Sequence, residues 1–143
     1  MKKLIFLFLL SQIVIKSNGQ EIKSINDDRI PANVRAKIKS MSSVDELEKF
    51  KYSAIKTFAD TSLATVKQNI SLSFSNGKIT GTIQTEITNV GFELKKENYS
   101  VEICFIYCCV DENNKEDCTK DFKEYKRKKN DPKCKSTTSR PCD

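Results

Sequence analysis

The sequence predicts an α+β fold: one N-terminal helix packed on a four-stranded antiparallel meander, followed by a disulfide-rich C-terminal tail. Three observations predict it. A capped stretch with apolar residues at three- and four-residue steps reads as a helix. Alternating segments after Asn69, punctuated by turn residues, read as strands. The six cysteines, Cys104, Cys108, Cys109, Cys118, Cys134 and Cys142, all fall within the last forty residues.

Residues 1–19 have the pattern of a secretory signal peptide. Lys2 and Lys3 supply a positive start, and Leu4 to Ile15 is apolar except for Ser11 and Gln12. Ser17 and Gly19 are small residues at −3 and −1 of a cut before Gln20. The apolar run is about twelve residues, against roughly twenty needed to span a bilayer. The expectation is a secreted, extracellular protein without a transmembrane segment after cleavage. Lys2, Lys3 and Lys16 leave with the signal, which lowers the net charge from +6 to +3. So mild an excess does not suggest nucleic acid as a partner.

Three segments follow. Residues 20–42 are polar, contain Pro31 and lack a sustained period; they read as a flexible arm or propeptide, with Arg29 and Arg35 as possible processing positions. Residues 43–110 read as the helix plus β-meander domain. Residues 111–143 form a charged tail, poor in aliphatics, that needs cross-links to stay folded.

In the middle segment, Ser43-Val44-Asp45-Glu46 is a capping box. Val44, Leu47, Phe50, Ala54, Phe58, Leu63 and Val66 continue from it as a stripe, which predicts a helix over 44–67 with a core-facing side. Ile70, Leu72 and Phe74 then alternate with polar residues. Asn76-Gly77 follows, a strong signal for a type I′ hairpin because both positions require positive φ. The return strand runs over Ile79–Thr88 and ends at Asn89-Val90-Gly91. A short third strand at Phe92 and Leu94 and a turn at Lys96-Glu97-Asn98 lead into a fourth strand over Tyr99–Val110.

Behind an export signal, six cysteines read as a disulfide framework. Cys104 and Cys108 project from one face of a strand and Cys109 from the other. Each is expected to pair with one of Cys118, Cys134 and Cys142, in an order the spacing leaves open. Such links close loops of roughly ten to forty residues, worth about 2–4 kcal/mol each. The chain has no histidine and no Cys-x2-Cys pair, so no metal or other cofactor is expected. The absent histidine also removes Ser–His and Cys–His catalysis, and no carboxylate pair stands out. The expectation is a protein that is not an enzyme.

Lys126-Arg127-Lys128-Lys129 is the one dense basic run, preceded by Phe122 and Tyr125. These six residues are the candidate partner-binding site, with the two aromatics as anchors. Asn69-Ile70-Ser71 and Asn98-Tyr99-Ser100 are glycosylation sequons, with Asn98 placed in the predicted turn.

A helix laid on a meander with disulfides toward the C-terminus resembles the cystatin and cathelin architecture, over about Ser43 to Val110. The resemblance implies a protease inhibitor using the Asn76-Gly77 tip and the turn near Asn98. The Gln-x-Val-x-Gly turn of cystatins is missing, and there is no tryptophan. The leading expectation is therefore a monomeric, toxin-like or effector-like binding protein, acting by surface contact on an extracellular protein, ion channel or receptor. A precursor that releases a peptide after Lys129 is the third reading; it requires Cys134 to pair with Cys142.

Overall fold

The computed structural model describes residues 20–60, 64–89 and 94–142. The signal segment, and Val90, Gly91 and Phe92 of the expected turn and third strand, lie outside the described residues. The order is β1 (Gln20–Ile22), α1 (Ala32–Ser40), α2 (Val44–Glu48), β2 (Lys51–Asp60), β3 (Ala64–Ser75), β4 (Lys78–Asn89), β5 (Leu94–Val110), β6 (Glu116–Thr119), α3 (Phe122–Lys129) and β7 (Ser136–Pro141). The strands run β1-β5-β4-β3-β2, and β6 and β7 both pair with the C-terminal half of β5. The β1–β5 pair is parallel and the rest are antiparallel. This seven-stranded mixed sheet with three short helices replaces the expected single helix on a four-stranded meander.

The long helix fails after one turn. Its start forms as expected: the Ser43 hydroxyl accepts from the Glu46 amide at 3.2 Å, and the Glu46 carboxylate accepts from the Ser43 amide at 3.4 Å. Val44 and Leu47 are buried from that turn. From Lys51 onward the chain is strand β2, where Tyr52 and Ala54 alternate with the more exposed Lys51, Ser53, Ile55 and Thr57. Positions 50, 54 and 58 fit a helical step of four and also a strand period of two, so the stripe ran on past the true helix end. Aromatic and β-branched residues in 52–58 suit a pleated surface better than a helix.

The third and fourth expected strands are one. Lys96, Glu97 and Asn98 do not turn; they pair with Glu86, Thr85 and Gln84, so β5 runs unbroken for 17 residues. Nor is 20–42 a loose arm. Ile22, Ile25, Ile30, Val34, Ile38 and Met41 are buried in the core. The irregular spacing of these residues reflects turns around a short helix, a pattern no single period reveals.

The core lies between this N-terminal layer and one face of the sheet. Register sets its rows: Tyr52, Leu72, Gly81 and Val101 in one, and Phe74, Ile79 and Ile103 in the next. Gly81 has no side chain for a reason: a Cβ there would lie 1.9 Å from the Ser71 carbonyl oxygen. The Asn76-Gly77 turn takes φ of +51° and +83°, the left-handed pair a type I′ hairpin requires.

Candidate functional site

Strand β5 organises the cysteine-rich tail. Cys104 bonds Cys142, Cys108 bonds Cys118, and Cys109 bonds Cys134. Each tail cysteine is thus fixed to one of the three strand cysteines. Cys108 and Cys118 face each other directly across β5 and β6. Adjacent residues of a strand point to opposite faces, so Cys108 and Cys109 hold the chain from both sides of β5. The segment they hold, from Cys118 to Cys134, carries α3. Cys142 then fastens the end of β7 beside Cys104, where the Cys142 amide also donates to the Cys104 carbonyl at 2.9 Å.

Helix α3 is capped by Asp121, whose carboxylate accepts from the amides of Lys123 and Glu124 at 2.8 and 3.2 Å. That places negative charge at the N-terminus and the basic run in the last turn, the arrangement the helix dipole favours. The inner side of the helix sits on an aromatic cluster. Phe122 packs edge-on against Phe74 at 5.6 Å and lies 5.2 Å from Tyr107, centroid to centroid; Tyr125 lies 5.0 Å from Tyr107. Tyr125 is 2% exposed. Its buried hydroxyl has no hydrogen-bond partner among the described residues.

This corrects the expected site in two respects. Tyr125 is buried and Phe122 half-buried, and both pack against the core and seat the helix on it. Nor is the basic run uniform. Lys128 is partly covered and bonded to Asp117 at 2.7 Å and Glu124 at 3.0 Å. The Asp117 and Glu124 carboxylates raise the Lys128 pKa, and Lys128 followed by the Thr119 hydroxyl lowers that of Glu124. Lys126, Arg127 and Lys129 are exposed, and the Lys126 ammonium rests 4.7 Å above the Phe122 ring. Spacing alone did not separate Lys128 from its neighbours, although an acid at i−4, Glu124, was there to be seen.

Beside the helix lies an open cleft of about 390 Å³. Asp111, Asp117 and Asp131 line it together with Lys115, Lys128 and Lys133, so its charges are mixed in sign. The nearby grouping of Cys108, Glu116 and Cys118 has the spacing of a metal site. Both sulfurs are in a disulfide, however, and cannot supply thiolates.

At the Asn76-Gly77 hairpin tip, Asn76 is exposed. Gly77 is buried under α3: a Cβ there would lie 2.5 Å from Phe122 Cβ. Its carbonyl accepts from the Tyr107 hydroxyl at 2.6 Å. The turn near Asn98 is strand. Arg29, read as a possible processing position, is engaged: it bonds Asp27 at 2.5 Å and Gln20 at 2.9 Å and lies over the Tyr99 ring at 4.9 Å. Asn69 and Asn98 are both exposed, on β3 and β5.

The chain matches no protein-family model, no curated protein sequence and no solved structure. Among the described residues no helix is long and apolar enough to cross a membrane.

Proposed function

We propose that this chain is a small secreted, disulfide-stabilised binding protein. It acts by surface contact, in the manner of a toxin or effector, on an acidic site of an extracellular protein or membrane receptor. The observation that carries the reading is the mounting of α3. Lys126, Arg127 and Lys129 point to solvent from a helix seated on buried aromatics and held through Cys118 and Cys134. A rigid mount lowers the ordering cost of binding. With Phe122 and Tyr125 turned inward, the contact is electrostatic rather than anchored by aromatics. It is therefore sensitive to salt and governs encounter more than residence. Asp117 and Glu124 neutralise Lys128, so three cations, not four, form the contact.

Two alternative readings have less support. The inhibitor reading required a free hairpin tip and a turn at Asn98. The precursor reading required release of 130–143 after a cut at Lys129. That segment is tied to β5 by Cys109–Cys134 and Cys104–Cys142.

The test uses heparin, a sulfated polyanion, as a surrogate acidic surface. The triple change Lys126→Ser, Arg127→Ser and Lys129→Ser should elute from immobilised heparin at clearly lower salt than the parent, with the same circular dichroism and melting temperature. Lys128→Ser alone should shift elution less. Equal elution of parent and triple variant would refute the patch.

A further inference from the structure

The chain contains two Asn-x-Ser sequons, and the sheet brings them side by side. Asn69 pairs with Gln84, which pairs with Asn98 on its other side; Ser71, Thr82 and Ser100 form the next row. The two asparagines are separated by one intervening strand, a distance of roughly 10 Å at ordinary strand spacing. Asn69, Ser71, Asn98 and Ser100 are all exposed, whereas the residues within the sequons turn the other way: Ile70 is buried and Tyr99 packs against the core. Both acceptors therefore project from the face of the sheet opposite the layer that holds α1 and α2.

We infer that both asparagines carry N-linked glycans, which together make this face of the sheet a carbohydrate-covered one. Strand alternation presents each acceptor amide with its own serine, the pair that glycosylation reads. The rows around them are polar, so no protein partner is needed to cover them. Among the described residues the one large apolar side chain that is exposed is Ile55, at 68%; it pairs directly with Asn69 and so would lie beneath the first sugar. Tyr107 and the aromatic cluster under α3 belong to the buried face, so the glycans leave the basic helix unobstructed.

The step is a group transfer in the secretory pathway, so the inference rests on the export reading. The Asn side-chain nitrogen attacks C1 of a lipid-pyrophosphate-linked oligosaccharide. The new bond is N-glycosidic; the bond broken is sugar to pyrophosphate. The lipid pyrophosphate leaves, and the amide nitrogen gives up one proton.

The full chain should be expressed in a eukaryotic secretory host and the medium and cell fractions recovered. Intact mass before and after peptide-N-glycosidase should show two glycans, with peptide sequencing reading aspartate at 69 and 98 after release. Ser71→Ala and Ser100→Ala should each remove one glycan; Ser71→Thr and Ser100→Thr should keep both. Secreted protein bearing no glycan or one overturns the inference and leaves export standing. Retention in the cytosol with reduced cysteines overturns both. The site readout on the unmodified chain decides the matter even if a variant misfolds.

Discussion

The hydroxyl of Tyr107 donates a 2.6 Å hydrogen bond to the carbonyl of Gly77, joining the centre of the tail-bearing half of β5 to the tip of the β3–β4 hairpin. Both partners are buried, and α3 lies across them through Phe122. This bond ties the half of β5 that carries the tail to the hairpin tip independently of any disulfide.

Tyr107→Phe should therefore destabilise the protein by about 1–3 kcal/mol, because it leaves the Gly77 carbonyl buried and unpaired. Tyr125→Phe should be neutral or slightly stabilising, since the hydroxyl it removes has no partner among the described residues. Urea unfolding of the two variants gives the contrast, and equal losses would contradict it. The pH dependence has a definite sign. Burial, then the neighbouring Tyr125, raises the Tyr107 pKa above its ordinary 10. The neutral phenol is thus favoured in the folded state, and its contribution is present below pH 10 and lost as pH rises beyond it. Tyr107→Phe should remove part of that alkaline loss; a share remains with Tyr99, whose pKa is raised chiefly by its hydrogen bond to Glu97.

At the acid end, Asp27 has the opposite sign. The hydrogen bond from Arg29 holds its carboxyl at about 2, below the usual 3.8. The stabilisation is full above 3.8 and disappears as pH falls through about 2. Asp27 is one-fifth exposed, so solvent screening reduces the gain to on the order of 1 kcal/mol. Asp27→Asn should be less stable than the parent by that amount near neutral pH. The two should converge near pH ~1.5, where the carboxylate is protonated. A difference that persists there would assign the effect to packing.

The helix break, the long β5 and the buried N-terminal segment show where the sequence was readable. Strong local chemistry was legible: the Ser43–Glu46 box, the Asn76-Gly77 turn and the alternation of Ile79 to Thr88 all appear where the residues placed them. Features decided by tertiary contact were not. Phe50, Ala54 and Phe58 fit two periods at once, and only pairing with β3 selected the strand. Lys96-Glu97-Asn98 looks like a turn by composition and is held straight by β4. Val34 and Ile38 alone are too few apolar positions to announce α1. At the candidate site, the basic run was visible but its orientation was not. Whether Phe122 and Tyr125 face a partner or the core depends on Phe74 and Tyr107, which are distant in sequence.

The three disulfides should differ in worth by the loops they close. Sequence separations are 38 for Cys104–Cys142, 25 for Cys109–Cys134 and 10 for Cys108–Cys118. Loop closure assigns them about 4, about 3.5 and about 2.7 kcal/mol in that order. Paired Cys→Ser variants, unfolded in urea, should rank the same way. A reversed ranking would show that contacts of β6, not chain entropy, dominate.

The most direct test of the account is the disulfide map of the full chain expressed through a secretory host, obtained without full reduction. Cys108 and Cys109 are adjacent, so partial reduction with stepwise alkylation is needed to separate their partners. The account predicts Cys104–Cys142, Cys108–Cys118 and Cys109–Cys134, which fix α3 between two bonds to neighbouring residues of β5. A Cys134–Cys142 bond would contradict it: the tail would then be a separate unit, and the mounting of Lys126, Arg127 and Lys129 would be lost.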